Sequence, residues 1–547
     1  MKKSIALICI LLLIVTSIAP TIAASDLKSQ SNVEIINIAT NEIHITGGND
    51  EEFCGPSSFF VDGNKVYVLD SVSSEVKFYE DKKLSETITI PGDNYFIDMD
   101  IDGDIIYLLD SNYKVVLYDL AKRLITKSLD IPKVPELSFS VNTGKNTYTG
   151  DYRPKYIRYA EGIHIVFQNN KEYLFDGANL TPYKKLNLKL ENKTAQLNVS
   201  SEKVQLETKG QPEEVRYLSS DQSGNDYIKL VSMYQDTKGK RYVEECIHQY
   251  KNNNKVSSVT LEDNGFFIPN RNVYVDKSGE VYQMIISNTG LSIKHLQKQK
   301  QYKQKYNLQK WEEIKTPPTS QSISNSTGTI SALATSWPLV RKSQLESVVN
   351  SYMGFSWTYN KSTNGNINRV PSSYRSAVSQ PHQLRQYTDT LNHTEYGMPY
   401  CWGAFDLPSG FITKINGTSY YAGNVINAGL GYINNTAGVD CSGFVCRAFL
   451  LTSKRGTGTD PTYGMRPTDN NGPFVTDSGS ADMYDVWIKD GHTMLNISRM
   501  YAEGINGYYV YEATTKDNVD ICRFNFQDPV YVGQFSLYKY VNFDPNN

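Results

Sequence analysis

Cys441 is the residue whose type and setting best suit covalent chemistry. It follows Asp440, a typical helix N-cap, and the residues after it have the apolar spacing of a helix. A thiol in the first helical turn lies near backbone N–H groups and the positive end of the helix dipole, which favour the thiolate. We therefore expect Cys441 to be a nucleophile. Cys446, inside the same helix, is expected to be a small buried apolar residue that does not bridge to Cys441.

A thiolate that attacks an amide needs a proton carrier, and the carrier needs a group that orients it. The histidines in the last part of the chain are His382, His393 and His492. His492 follows a Lys-Asp-Gly turn, which places it at the start of a predicted strand. The next strand-like run, residues 507–513, carries Glu512, which is placed to orient the imidazole. Spacing alone leaves open both a Cys-His-Glu triad and a set of merely structural residues.

Three motifs in order resemble the signature of the NlpC-type cell-wall peptidases, a papain-like superfamily. They are residues 397–403 (Gly-Met-Pro-Tyr-Cys-Trp-Gly), 440–445 (Asp-Cys-Ser-Gly-Phe-Val) and 491–495 (Gly-His-Thr-Met-Leu). The resemblance covers residues 336–547. It implies an α+β papain-like domain that hydrolyses an amide bond in the stem peptides of peptidoglycan.

The resemblance also implies roles for individual residues. Cys441 would be the nucleophile, and His492 would be the general base and acid. Tyr400 would line the site near the oxyanion. Asp440 and Ser442 would hold the free amine of the substrate peptide.

The sequence departs from this family at two places. Gly504 stands where familiar members carry the third polar residue, so we assign that role to Glu512, as in relatives that read Tyr-Glu-Ala on this strand. The alternatives are Asn496, Asn506 or no third residue. The segment 406–438 between the first two motifs is long, which leaves substrate specificity open.

The first half of the chain contains a repeat. Residues 62–70 and 102–110 share an Asp-Gly turn followed by a Tyr-apolar-Leu-Asp run, and each leads into an alternating strand. The turn recurs more loosely at residues 221–224 and 276–279, and residues 162–176 are a degenerate copy. A Gly-bearing turn with short strands at a period of about 40 residues is typical of a propeller blade.

This repeat predicts an all-β propeller of about six blades over residues 33–310. Residues 33–45 are expected to supply a strand that closes the ring. An irregular β-sandwich is the alternative. The Asp-Gly turns lack the dense oxygen ligands of a calcium loop, so we expect them to be structural.

The chain's organisation follows from these segments. Lys2 and Lys3, an apolar run and a small-residue exit near Ala23 predict a secretory signal peptide, with a retained anchor as the alternative. The stretch after the propeller contains Pro-Pro and many Ser and Thr residues, which is typical of a linker and predicts its ready proteolysis. The predicted order is signal peptide 1–24, propeller 33–310, linker 311–335 and catalytic domain 336–547.

Composition restricts the partners. The 547 residues include 55 Lys+Arg against 58 Asp+Glu, a net charge of −3 that provides no general attraction to nucleic acid. The cysteines lack C-x-x-C spacing and the histidines lack paired-ligand spacing, so we expect neither a metal site nor a cofactor. Export permits disulfides among Cys54, Cys246, Cys401 and Cys522, which the sequence leaves open.

The leading interpretation is a secreted or wall-associated bacterial hydrolase without a transmembrane anchor once the signal is removed. Its partner would be peptidoglycan or a peptide, with the propeller as a binding or spacer module. Contact of the Lys/Gln-rich residues 294–315 with an anionic wall polymer is an additional possibility. Two other functions compete: an adhesion protein with an idle peptidase domain, and a thiol acyl or amide transferase.

Overall fold

A computed structural model describes most of the chain between residues 32 and 546. The predicted signal peptide, the linker 311–335, Cys54 and residues 380–391, for which the sequence predicts a short helix, lie outside the described residues. The described residues are 32–39, 42–45, 55–91, 95–110, 113–142, 147–184, 186–191, 194–199, 202–206, 210–235, 241–252, 254–262, 269–287, 290–300, 337–375, 392–424, 432–460, 463–466, 472–477, 479–502, 505–515 and 521–546.

The first part of the chain is built from strands. In the described residues up to 300 these are β1 (Val33–Ala39), β2 (Ser58–Asp62), β3 (Lys65–Asp70), β4 (Glu75–Glu80), β5 (Lys83–Thr89), β6 (Phe96–Asp102), β7 (Ile105–Asp110), β8 (Lys114–Asp119), β9 (Leu124–Asp130), β10 (Ser138–Asn142), β11 (Thr147–Asp151), β12 (Pro154–Tyr159), β13 (Ile163–Phe167), β14 (Glu172–Phe175), β15 (Leu180–Tyr183), β16 (Asn187–Glu191), β17 (Thr194–Val199), β18 (Glu202–Leu206), β19 (Gln211–Ser220), β20 (Asp226–Gln235), β21 (Arg241–Lys251), β22 (Asn254–Thr260), β23 (Val273–Val275), β24 (Val281–Ser287), β25 (Gly290–Leu296) and β26 (Gln299–Lys300).

These strands form the predicted propeller-like arrangement. Four antiparallel sheets have four strands each: β2–β5, β6–β9, β12–β15, and β23–β25 with β1. The predicted closure is present, because β1 pairs antiparallel with β25 and so completes the last sheet. Apolar side chains of neighbouring sheets pack against each other, since Phe59 and Met284 share one buried cluster, and Leu69 and Leu108 share the next.

The number of blades differs from the prediction of about six. Strands β19–β22 form a further four-stranded meander, but this meander continues through a Glu214–Ile505 bridge into the sheet of the second part. The repeated turns are confirmed, because Gly63 and Gly103 have φ of +61° and +57°, where a side chain would be strained. The glycine conformation at these two positions therefore explains why the turn recurs in the sequence.

The second part mixes strands with short helices. Its described elements are β27 (Val340–Arg341), α1 (Lys342–Met353), β28 (Ser356–Asn360), β29 (Asn392–Tyr396), α2 (Pro408–Asn416), β30 (Tyr421–Ala422), β31 (Thr436–Ala437), α3 (Cys441–Ala448), β32 (Phe474–Thr476), β33 (Val486–Lys489), β34 (His492–Ala502), β35 (Ile505–Thr514), β36 (Ile521–Gln527), α4 (Pro529–Val532), β37 (Ser536–Tyr540) and β38 (Phe543–Asp544).

An antiparallel sheet of β36, β35, β34, β33, β37 and β32 forms the centre of this part. The sequence Ser343-Gln344-Leu345-Glu346 has the pattern of a capping box and predicts a helix here, which is confirmed as α1, but the helix is not capped by Ser343. The cap is Arg341, whose backbone N–H donates to the Gln344 side chain at 3.0 Å. Leu345, Val349 and Tyr352 are the buried stripe of this helix. No helix among the described residues is long and apolar enough to cross a bilayer.

Candidate active site

Asp440 and the start of helix α3 form one hydrogen-bonded unit with the first motif. The predicted N-cap is confirmed, because Asp440 Oδ1 accepts from the Gly443 N–H at 2.6 Å. Asp440 Oδ2 accepts from the Gly403 N–H at 2.9 Å. Both oxygens of this buried carboxylate therefore fix backbone N–H groups, one in each motif.

The close approach of helix α3 to the first motif explains why position 443 is a glycine. A Cβ on Gly443 would lie 2.6 Å from the Ala404 carbonyl oxygen and 2.9 Å from Asp440 Oδ1. Such distances are too short for carbon, so only glycine lets helix α3 approach the first motif this closely. The helix start that carries Cys441 is thus held at a defined place.

The other buried thiols of this part differ from a nucleophile. Burial raises the pKa of Cys446 to about 12 and also raises the pKa of Cys401 and Cys522. All three sulfurs therefore stay protonated at neutral pH. Cys446 is a buried apolar residue, as expected, and its sulfur faces the Arg455 carbonyl. These cysteines, Cys441 and Cys246 are thiols in the structure.

His492 and Glu512 are in direct contact, as their strand positions predict. His492 begins β34, and its Nε2 lies 3.2 Å from Glu512 Oε2 on the neighbouring strand β35. The two side chains are 1% and 0% exposed. The Phe535 ring stands against the imidazole in an edge arrangement, 6.0 Å between centroids. The contact is established, whereas the catalytic role of Glu512 stays a prediction.

Three residues that sequence reasoning missed hold Glu512 in place. Asn525 Nδ2 and Gln527 Nε2 donate to Glu512 Oε1 at 2.7 and 2.9 Å, and Arg523 Nε donates to the same oxygen at 3.3 Å. The three alternate along β36 with apolar residues, a pattern that ordinarily indicates a solvated face. Here all three are buried.

These donors decide the charge of Glu512. Burial raises the pKa of a carboxyl, but the hydrogen bond with His492 and the charge of Arg523 outweigh it here and lower the pKa of Glu512 to about 2. Glu512 is therefore an anion at every pH at which the protein would work. An anionic partner stabilises the imidazolium form of the histidine that it contacts.

Cys441 and the His492–Glu512 pair approach the sheet from opposite sides. Helix α3 packs on the face of Leu495 and Tyr511, which share its apolar cluster. Alternation puts the His492 and Glu512 side chains on the other face, where Phe535 lies. The first motif, in which the Gly403 N–H donates to Asp440, adjoins the end of β35, because the Met398 carbonyl accepts from the N–H of Cys522, the strand partner of Ala513.

His492 begins the strand beside that end of β35, so His492 and the unit formed by Asp440 and the first motif lie at the same end of the sheet. Leu495 pairs with Tyr511, which places the start of β34 next to the last residues of β35. The approach of the Cys441 sulfur to the imidazole, around this end, stays a prediction.

The expected substrate-binding residues line the same region. Tyr400 is 2% exposed, and its backbone bridges to Val439, directly before the cap. Ser442 Oγ donates to Asp440 Oδ1 at 3.1 Å. The Lys454 ammonium contacts Asp440 Oδ2, so a substrate amine would have to compete with an internal cation. Their binding roles stay predictions.

Two clusters in the propeller invite comparison with this site. His44, Asp70 and Glu75 offer ligand atoms within 4.8 Å of one another, but the Lys77 ammonium lies 3.3 Å from Glu75 and opposes a bound cation. Cys246 Sγ lies 3.4 Å from His248 Nε2.

Burial, aided by the Lys255 charge, lowers the pKa of His248 to about 3. The imidazole beside Cys246 is therefore neutral, and its Nδ1 makes no hydrogen bond to any of the described residues. Neither propeller cluster matches the chemistry available at Cys441.

Comparisons with known proteins identify no family. No protein-family model matches the chain, and no curated protein matches it. Among solved structures, it is similar to hydrazine synthase of Kuenenia stuttgartiensis, with 12% identity and a TM-score of 0.24 over 42% of this chain and 72% of that one. It is also similar to the Neurospora crassa Pan2 WD40 domain, with 11% identity and a TM-score of 0.24 over 51% of this chain and 94% of that one. A third similar structure is BBS1N in complex with ARL6DN, with 12% identity and a TM-score of 0.26 over 48% of this chain and 94% of that one.

Proposed function

We propose that this protein is a secreted cysteine peptidase or amidase of the NlpC type, which cuts an amide bond in peptidoglycan stem peptides. The supporting observation is the buried contact between His492 and Glu512 at the end of the sheet that helix α3 adjoins. The second part of the chain would be a variant of the papain-like α+β fold. The propeller would bind or space the enzyme at the wall.

In the proposed mechanism, His492 takes the proton from Cys441, and the sulfur attacks the carbonyl carbon of the scissile amide. The imidazolium then donates that proton to the leaving amine, and an acyl-enzyme thioester remains. His492 next takes a proton from water, whose oxygen attacks the thioester carbonyl, and the thiol is regenerated. Glu512 stays anionic throughout, keeps the ring orientation and stabilises the imidazolium.

The test is digestion of purified peptidoglycan by the mature protein and by Cys441→Ala, with the released peptides resolved by mass spectrometry. New amine and carboxyl ends with the wild type, absent with Cys441→Ala, are expected. Cys446→Ala is the matched control and should digest normally, because its thiol is buried and protonated. Intact peptidoglycan after treatment with folded wild type, or an inactive but folded Cys446→Ala, would contradict the proposal. Acyl transfer to an added amine without hydrolysis would instead indicate a transferase.

A further inference from the structure

Strand β36 lies between the propeller and the His492–Glu512 pair. Its residues alternate, so that Phe524 and Phe526 point to one face of the sheet and Arg523, Asn525 and Gln527 point to the other. The second set holds the Glu512 carboxylate. The first set faces the propeller.

Aromatic side chains of the propeller part cover the first face. The Phe139 ring lies 5.8 Å from the Phe524 ring and 4.8 Å from the Tyr509 ring. Tyr152 places its ring 5.6 Å from Phe526 and its hydroxyl 2.9 Å from the Tyr509 hydroxyl. All five side chains are buried or nearly so, and aromatic contacts of this kind hold their partners in defined positions.

A partly buried ion pair makes a second connection. Lys155 Nζ lies 2.9 Å from Asp528 Oδ2, and the two side chains are 13% and 16% exposed. Asp528 directly follows β36 and caps helix α4 by accepting from the Tyr531 N–H at 2.9 Å. Phe535, which follows α4, contacts the His492 ring. The propeller thus reaches both members of the pair.

We propose that the propeller is a positioning part of the active site, and that Phe139, Tyr152 and Lys155 hold the His492–Glu512 pair in place through β36 and helix α4. This inference rests on the proposed function. A strand pressed on one face by the propeller cannot shift without moving the three donors that hold the carboxylate on its other face. Misplacement of a catalytic group by about 1 Å is enough to lower a rate by up to about 100-fold.

The test uses Phe139→Ala in the full chain and has two readouts. The kcat on peptidoglycan peptides should fall about 10-fold with KM little changed, because the substrate is still bound while the base is misplaced. The pH titration of the His492 ring signal, followed by NMR, should shift downward because the imidazolium loses part of its anionic partner. Phe139→Leu, which refills most of the volume, should restore both values towards wild type.

Phe59→Ala is the matched control, because Phe59 is a fully buried propeller phenylalanine that packs against Tyr274. The folded control should keep both the kcat and the His492 titration. Tyr152→Phe removes only a hydroxyl and replaces Phe139→Ala if that variant does not fold. If a folded Phe139→Ala or Tyr152→Phe protein has the kcat and the His492 titration of the wild type, the inference is overturned. If the wild type cuts no amide, the proposed function fails, and the His492 titration alone still decides whether the propeller positions the pair.

Discussion

Two buried carboxylates, Asp98 in the propeller and Glu512 in the second part, have the same kind of partner and different uses. Each is 0% exposed and faces an arginine. Asp98 accepts from Arg271 at 2.8 and 2.5 Å, from Ser58 Oγ at 2.5 Å and from the Ile157 N–H at 2.7 Å. Its partners come from different propeller sheets, so Asp98 ties those sheets together.

Glu512 differs in one partner. Its Oε1 accepts from Arg523, Asn525 and Gln527, whereas Oε2 accepts from Gln527 and faces the imidazole of His492. In the propeller the arginine and carboxylate pair connects sheets, whereas in the second part it holds an anion beside an imidazole. A buried ion pair therefore does not indicate chemistry by itself, and the imidazole is the feature that distinguishes Glu512 from Asp98.

Replacing His492 should have the largest effect on activity. We expect His492→Ala to lower turnover at least about 1,000-fold, because it removes the imidazole that moves the proton of the thiol in the proposed mechanism. His164→Ala is the control, since His164 is also buried and pairs with a glutamate, Glu172, at 3.0 Å. A comparable loss of activity in the folded His164→Ala protein would show that the His492–Glu512 pair has no special role in activity compared with the propeller pair.

Glu512→Gln should have an intermediate effect. Turnover should fall about 10-fold to 100-fold, since the amide keeps the shape but removes the charge that stabilises the imidazolium. Its NH₂ group also meets the donors of Arg523, Asn525 and Gln527. A kcat within twofold of wild type would show that the carboxylate has only a structural role, as in Asp98.

Asp98→Asn should act on stability alone. Removing the charge leaves Arg271 buried without its partner, which typically costs about 3–5 kcal/mol of unfolding free energy. Turnover per folded molecule should stay within about twofold of wild type, because Asp98 does not contact the His492–Glu512 pair. Urea unfolding monitored by fluorescence, with kinetics on the folded fraction, measures both. A large loss of kcat without loss of stability contradicts the assigned role.

Acid should have a smaller effect, which is a loss of unfolding free energy as Glu512 is protonated. The folded pKa of Glu512, about 2, lies below the ordinary value of 4.5. Its contribution is therefore fully present above pH 4.5 and is lost as the pH falls towards 2, amounting to at most about 3 kcal/mol. Glu512→Gln should flatten the pH dependence of unfolding in this window. An unchanged slope would show that Glu512 is not held as an anion.

Local patterns account for the parts that were predicted from the sequence. Asp-Gly turns need a positive φ, so Gly63 and Gly103 report sheet boundaries directly. Asp440 and His492 lie at the start of a helix and of a strand, where capping and turn chemistry are local. The contact of Glu512 with His492 followed from their positions on adjacent strands.

Long-range contacts account for the parts that were not predicted. Arg523, Asn525 and Gln527 alternate with apolar residues as on a solvated face, and only the tertiary structure shows that they are buried around Glu512. The blade count was too high because β19–β22 joins the second sheet through a bridge between Glu214 and Ile505. Neither feature leaves a local sequence signal.

The pairing of β1 with β25 has a consequence for how the chain acquires its structure. Val33 pairs with His295, so the first strand to be made waits for one of the last before its sheet is complete. Contacts between residues so far apart in sequence form slowly, because the intervening chain must first be brought together. Until Leu296 has left the ribosome, the ring is open and β1 has an unpaired edge. A chain in that state exposes unpaired strand edges and apolar surface, which makes it prone to aggregation and to proteolysis until the sheet is complete.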